Sequence, residues 1–266
     1  MGYNEYIQFH AMQKGGKNMS GREKSRLFSA LLRVLRFFYL KMEVVGMENL
    51  PDEPVIIAGN HTQMHGPIAC ELYFPENRWT WCAGQMMHLK EVPEYAFEDF
   101  WSQKPEWSHW FYRILSHLVA PLSVYIFNRA NTIEVYRDAR VMATMRETLN
   151  RLQEGANIVV FPEQDKKYNN IIYDFQEGFI DIARMYHRKT GKELCFVPLY
   201  IAPSLKKMIL GKPIRYCAAN PVQEERARIR SYLMNEITDI ARALPRHRVI
   251  PYRNIRRRDY PFSLPE

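Results

Sequence analysis

Two short polar clusters in this chain each follow an apolar run. The first is Asn60-His61-Thr62-Gln63-Met64-His65-Gly66-Pro67, directly after Val55-Ile56-Ile57-Ala58. A histidine at the carboxyl end of a strand, on a loop opening a helix, is placed to act as a general base, because its pKa lies near neutrality. The second cluster, Phe161-Pro162-Glu163-Gln164-Asp165-Lys166-Lys167, follows Ile158-Val159-Val160 and precedes Asp174-Phe175-Gln176-Glu177-Gly178-Phe179. Between them Phe127-Asn128-Arg129 closes another apolar run. A guanidinium or ammonium at a strand end suits a phosphate, which makes Arg129 and Lys166 candidate anion binders. The plain alternative for both is a solvated surface charge. His61 and His65 stand four apart, a spacing that lets both meet a zinc ion from one helical face and gives a metal-dependent hydrolase as a remote reading. Thr62 occupies the place of the glutamate in an HExxH motif, so no metal is expected.

The elements that must carry these clusters alternate. Val55–Ala58 reads as a buried strand and 67–74 as the following helix, with Pro67 in its first turn. Further strands are predicted over 79–83, 123–127, 157–161, 194–201 and near 214–218. Helices are predicted over 132–152, 176–187 and about 222–243. Strands alternating with helices imply an α/β layer with a mostly parallel sheet flanked by helices. Ligands usually bind in the loops at the carboxyl ends of such strands. The segment 91–121 breaks the rhythm with Trp101, Trp107, Trp110, Phe97, Phe100, Phe111 and Tyr112. It fits a plain core, a wall or lid over a lipid-chain tunnel, or an interfacial anchor.

Before the first strand, 20–41 reads as an N-terminal amphipathic helix. Arg22, Arg26, Ser29, Arg33 and Arg36 form one polar stripe on an otherwise apolar cylinder. Its arginines argue against a transmembrane span, and the pattern fits either packing on the domain or lying in a membrane interface. The formal net charge of +8 is concentrated near the start and in the Pro- and Arg-rich end, which attracts an anionic membrane face. No nucleic-acid module accompanies that charge, so no nucleic-acid partner is expected. Four cysteines without a CxxC pair, and a polar stretch 1–19 without a signal-peptide core, suggest a cytoplasmic protein peripheral to the membrane. The division expected is 1–45 as a basic amphipathic segment, 46–244 as the α/β domain and 245–266 as a basic surface tail.

Taken in order, Asn60-His61, Phe127-Asn128-Arg129, Phe161-Pro162-Glu163 with Phe175-Gln176-Glu177-Gly178-Phe179, and Val197-Pro198 resemble the four blocks of the glycerolipid acyltransferases that acylate lysophosphatidic acid. The resemblance spans about 42–220. It implies a glycerol-3-phosphate acyltransferase-like fold and a histidine, His61, that deprotonates an acceptor hydroxyl. That hydroxyl attacks the thioester of acyl-CoA or an acyl carrier protein, a co-substrate, with no bound cofactor. The second-block arginine and third-block residues hold the glycerol-phosphate side in that family, which maps onto Arg129 and Glu163, with Asn60, Asn128 and Lys166 as neighbouring binding positions. A lysophospholipid-like acceptor and a membrane face are the implied partners.

The chain departs from the pattern at its centre. The family block is a histidine, four residues and an aspartate; here that fifth position is Gly66, and a one-residue deletion puts His65 there instead. Neither is a carboxylate. In a serine protease, neutralising the equivalent acid costs on the order of 10⁴ in rate. Glu71, Glu163 and Asp165 are the candidates to substitute through space. The third block reads Pro162-Glu163-Gln164-Asp165-Lys166 where the family has proline, glutamate, glycine, threonine, arginine. Lysine keeps the charge but loses the bidentate fork, so an altered acceptor is expected. The sequence thus favours an O-acyltransferase, with a catalytically impaired lipid-binding relative, a possible pseudoenzyme, as the alternative.

Overall fold

The computed structural model describes residues 26–74 and 77–264. In chain order its main elements are α1 (Arg26–Phe38), β1 (Glu43–Val45), β2 (Val55–Gly59), α2 (His65–Tyr73) and β3 (Arg78–Ala83). There follow α3 (Val92–Ala96), α4 (His109–Arg129), β4 (Thr132–Val135), α5 (Val141–Gln153), β5 (Asn157–Val160), β6 (Glu163–Lys167) and β7 (Tyr173–Phe175). The rest are α6 (Asp181–Thr190), β8 (Cys195–Ala202), β9 (Lys207–Leu210), β10 (Ile214–Arg215) and α7 (Val222–Ala243).

The main sheet runs β1-β9-β8-β2-β5-β3-β4, with β10 also paired to β8. Strands β8, β2, β5, β3 and β4 are parallel, while β9 and β10 join β8 antiparallel. This is the expected α/β architecture with a mostly parallel sheet flanked by helices. Every residue of β2 and β8 is buried, as strands covered on both faces require. Alternation sorts their side chains: Ile56 and Ala58 pack with α5, α6 and α7, while Val55 and Ile57 pack with α2 on the other face. The chain leaves β2 toward β3 and leaves β5 toward β8, so the order reverses between these neighbours. Their carboxyl ends, in register at Ala58 and Val160, frame the crevice where ligands bind in open α/β sheets.

Two predicted elements are corrected. Residues 123–127 are not a strand; they are the last turns of α4. The β-prone run Ser123-Val-Tyr-Ile-Phe is overridden because Ser116, Ala120 and Ser123 recur at helical spacing and form the buried face of a longer helix. Nor is 132–152 one helix. It opens as β4, which pairs with β3 in the register Trp81 to Ile133, and only then becomes α5. Arg129 therefore ends a helix, and the arginine that follows a strand is Arg137.

The segment from Gly84 to Arg129 forms a cap beside the sheet, built on Met86, Val92, Ala96 and Ala120. Its large apolar side chains face the other way. Trp107 (80% exposed), Trp110, Phe111, Ile114, Leu118 (71% exposed) and Leu122 form one outward stripe along the cap helix. The stretch Glu106–Arg129 is long and apolar enough to cross a membrane by length and composition, with a mean hydropathy of 1.2. The N-terminal helix predicted over 20–41 is described as α1; the part before Arg26 lies outside the described residues. Phe28 of α1 is buried against Tyr125 of α4, while Leu27, Phe37 and Phe38 are exposed.

Candidate functional site

The crevice between β2 and β5 is organised by polar staples. Asn60 stands just past β2, where Gly59 pairs with Leu199. Its side-chain amide continues that ladder: Nδ2 donates to the Ile201 carbonyl at 3.0 Å, and Oδ1 accepts from the Ile201 N–H at 2.7 Å. Asn60 is thus a buried sheet-end clamp. Glu163, just past β5, is equally committed. Its Oε1 accepts the His61 N–H at 2.6 Å and its Oε2 the Tyr173 N–H at 2.8 Å. Burial pushes its carboxyl up to about 7, opposed by those two N–H groups. Glu163 holds the backbone of the histidine, not its ring.

The loop after His61 is strained. Thr62 (φ 47°) and Gln63 (φ 55°) are both left-handed, and neither is glycine. Such residues cost of order 1–3 kcal/mol each and persist where their surroundings over-determine them. Here the Gly66 N–H bonds to the His61 carbonyl at 3.1 Å and the His65 N–H to Thr62 O at 3.1 Å, closing a tight turn into α2. Both histidines line the smaller cavity. His65 Nδ1 lies 2.8 Å from the Tyr39 hydroxyl, on the α1 side. Burial and the nearby Arg257 lower its pKa.

The His61 ring makes T-shaped contacts with two aromatic rings. Phe161 is 5.3 Å away at 74° and Tyr252 is 5.9 Å away at 90°. Nδ1 is buried with no hydrogen-bond partner among the described residues. Burial lowers the imidazole pKa to about 4; the Gln63 backbone opposes this only weakly, forming no bond of ordinary geometry. No carboxylate among the described residues bonds to the ring. Glu71 pairs with Arg78 at 2.9 Å, and Asp165 pairs with Arg253. At Gly66 an added Cβ meets the His61 carbonyl oxygen at 2.5 Å and Phe161 Cε1 at 3.0 Å, so a side chain there has no room.

Two cavities share His61, Tyr95, Glu98, Asp99 and Tyr252 as a common wall. The larger, about 940 Å³, runs past Trp81, Val135, Met145, Phe161 and Phe179, with Arg137 also on its lining. The smaller, about 590 Å³, lies between the His61–His65 loop, the cap and the segment Tyr252–Ile255. Asp99 sits on both, its carboxyl pKa raised by burial.

The other sequence-selected residues lie elsewhere. Arg129 is exposed, its guanidinium 5.8 Å from the Tyr125 ring of its own helix. Asn128 ties α4 to the Met87 carbonyl at 3.0 Å, and Lys166 is 77% exposed on the β6–β7 hairpin, 3.8 Å from Asp174. None of the three lines either cavity. Sequence reasoning missed Arg137, Asp99 and Tyr252. Arg137 was recoverable, since Thr132-Ile-Glu-Val is a short run of strand formers followed at once by Tyr136-Arg137. Among the described residues no group of three or more histidine, cysteine or acidic side chains is gathered as for a metal.

No protein-family model matches this chain, and no curated protein does. Among solved structures it is similar to the crystal structure of the 1-acyl-sn-glycerophosphate (LPA) acyltransferase PlsC from Thermotoga maritima, at 16% identity over 90% of this chain and 88% of that one, with a TM-score of 0.47.

Proposed function

We propose that this chain transfers a fatty acyl group from acyl-CoA or an acyl carrier protein to the hydroxyl of a lysophospholipid-like acceptor, with His61 as general base. One observation carries this reading: two cavities meet at a single imidazole at the carboxyl end of β2. A two-substrate transfer needs that convergence, and the first and third sequence blocks, which supply His61 and Glu163, line the larger cavity. In the reaction the imidazole takes the hydroxyl proton as the oxygen attacks the thioester carbon. The carbon–sulfur bond breaks, and the imidazolium returns the proton to the departing thiolate. The apolar lining of the larger cavity suits an acyl chain, and Arg137 on that lining takes the phosphate-holding role that the resemblance gave to Arg129 and Lys166. A neutral imidazole is the form a base requires, and burial keeps His61 neutral across the physiological range.

The apolar stripe of α4 and the exposed face of α1 support docking on a membrane. Because α4 packs on the cap through Ser116, Ala120 and Ser123, it suits lying along the surface better than crossing the bilayer. The unpaired cysteines, all four without a disulfide, suit a cytoplasmic location.

A second reading has its own support. The buried, unpartnered Nδ1 of His61 lacks the group that fixes the tautomer and stabilises the imidazolium. By the serine-protease analogy that forfeits about 5 kcal/mol of transition-state stabilisation, which favours a cleft that binds lipid with little turnover.

Thiol release by the purified protein, over a panel of acyl donors and lysolipid acceptors, separates the two. The first reading expects release that falls at least 100-fold in His61→Ala. Acyl-CoA binding by calorimetry with no release above background would establish the second in its place.

A further inference from the structure

The segment beyond α7 closes over the site. His247 is buried, with Nε2 2.7 Å from the Tyr200 hydroxyl and Nδ1 2.8 Å from the Pro245 carbonyl. Arg248 and Phe262 form an antiparallel bridge, so the chain between them is a loop anchored at its base. Its far end is tied to three parts of the site. Gln63 Nε2 donates to the Arg253 carbonyl at 3.2 Å and to the Tyr260 hydroxyl at 3.2 Å. Arg253 pairs with Asp165 on β6, and Asn254 Nδ2 donates to the Asp99 carbonyl of the cap at 2.9 Å. The loop therefore straps the histidine turn, the β6–β7 hairpin and the cap together.

What this strap places at the centre is Tyr252. Its ring stands perpendicular to the His61 imidazole, which also meets Phe161 in a T-shaped contact, and packs 5.7 Å from Tyr173. It lines both cavities. T-shaped aromatic contacts add attraction beyond the area they bury, and they favour defined ring orientations. We propose that Tyr252 is a positioning residue for His61: the T-shaped contacts of Phe161 and Tyr252 together clamp the imidazole and fix its orientation where no carboxylate does. This rests on His61 being the base of the proposed transfer. It adds that the ring is held by aromatic contact delivered by the strap. It also accounts for Gly66, since the space a carboxylate would need is taken by the Phe161 edge and the His61 carbonyl.

The groups that face His61 from its surroundings are Tyr252 from the strap, Glu163 from β6, and Tyr95, Glu98 and Asp99 from the cap. Arg137 lies beside the Tyr252 phenol, so the hydroxyl has a partner other than the imidazole. If the clamp acts through the ring, the hydroxyl is dispensable.

The test uses the full chain carrying Tyr252→Ala, Tyr252→Leu or Tyr252→Phe, with two readouts. The first is the His61 ring titration followed by NMR. The second is thiol release, with kcat and KM separated. Removing the ring lets water reach the imidazole, so Tyr252→Ala should raise the measured His61 pKa by more than one unit. It should lower kcat at least tenfold with KM within about twofold of wild type. Tyr252→Leu keeps the bulk without the ring and should reproduce the kcat loss, which retains the test if the alanine variant fails to fold. Tyr252→Phe should stay close to wild type in both readouts. The proposal is overturned if Tyr252→Leu leaves the titration and kcat unchanged, or if Tyr252→Phe is as impaired as Tyr252→Leu. A wild type without any turnover sinks the acyl-transfer reading alone; the titration arm then decides the clamp by itself.

Discussion

The two loops leaving β2 and β5 and the cap from Gly84 to Arg129 use asparagine and acidic residues in opposite ways. In the loops, Asn60 and Glu163 are buried and spend their polar atoms on backbone groups, Asn60 on Ile201 of β8 and Glu163 on His61 and Tyr173. In the cap, Asn128 makes local ties, Arg129 is exposed, and the surface is apolar where a soluble helix is ordinarily polar. The difference teaches that residue type at a block position does not tell function from support. Glu163 lines the larger cavity and Asn60 braces the sheet end beside it; Asn128 and Arg129 line neither cavity.

The sharpest way to break this comparison is at the two asparagines. Asn60→Leu strips both bonds to Ile201 in a dry sheet end and should destabilise by roughly 4 kcal/mol, since each buried unsatisfied group costs about 1–3 kcal/mol. Asn128→Leu, by the same measure, should cost about 1 kcal/mol. Urea midpoints compare them directly; equal losses would erase the distinction.

Next in size is a pH effect. His61 is lowered from 6.5 to about 4 and Glu163 raised from 4.5 to about 7, both by burial. Between pH 4.5 and 6.5 the unfolded chain holds a proton on the histidine that the native state lacks, and the native state holds one on the glutamate that the unfolded chain lacks. The slopes have opposite signs and cancel. Glu163→Gln removes the glutamate contribution. Its stability, relative to wild type, should then fall as pH drops from 6.5 toward 4, by about 3 kcal/mol in total. Denaturation series at several pH values check this; parallel wild-type and variant curves would refute it.

Smaller still is Gly66→Asp, the substitution that restores the family's acid. The 2.5 Å approach of a Cβ to the His61 carbonyl predicts a loss of roughly 2 kcal/mol from overpacking, and no gain in thiol release. A gain in turnover with an unchanged melting temperature would show that the loop yields. Last come the arginines. Arg137→Ala should raise KM for a phosphate-bearing acceptor about tenfold, or about 1.4 kcal/mol, while Arg129→Ala stays within about 0.5 kcal/mol of wild type in stability and leaves KM unchanged.

How much of this was legible in the sequence follows from the same contrast. Strands β2, β5 and β8 were readable because strands buried on both faces are continuous apolar runs, and α7 was readable from its period. His61 and Glu163 were selected because they follow such strands, and both line the larger cavity. The cap was misread because the buried face of α4 carries small residues, Ser116, Ala120 and Ser123, while Trp110, Phe111, Leu118 and Leu122 of the same helix are exposed, so hydrophobicity did not report burial there. Once 123–127 was taken as a strand, Arg129 displaced Arg137. Nor could spacing fix how His61 sits relative to His65: the left-handed Thr62 and Gln63 between them depart from the helical geometry that a four-residue separation assumes. Tyr252 carried no local signal, because its meaning comes wholly from the ring it meets.

The strap also has a kinetic meaning. Gln63 and Arg253 are 190 residues apart, and Asn254 meets Asp99 across 155. Closing loops of that length earns few contacts early, so such pairings tend to form late in folding. The β6–β7 and β8–β9 hairpins and the β3–β4 and β3–β5 pairs join nearer partners and can form while the His61 turn stays unlatched; β1–β9 and β2–β8 span lengths comparable with the strap. Competence at this site should therefore lag behind secondary structure during refolding, which a stopped-flow comparison of far-ultraviolet dichroism with Trp and Tyr signals would resolve. In this molecule the site is a late product of long-range topology rather than a property of the blocks that first draw the eye.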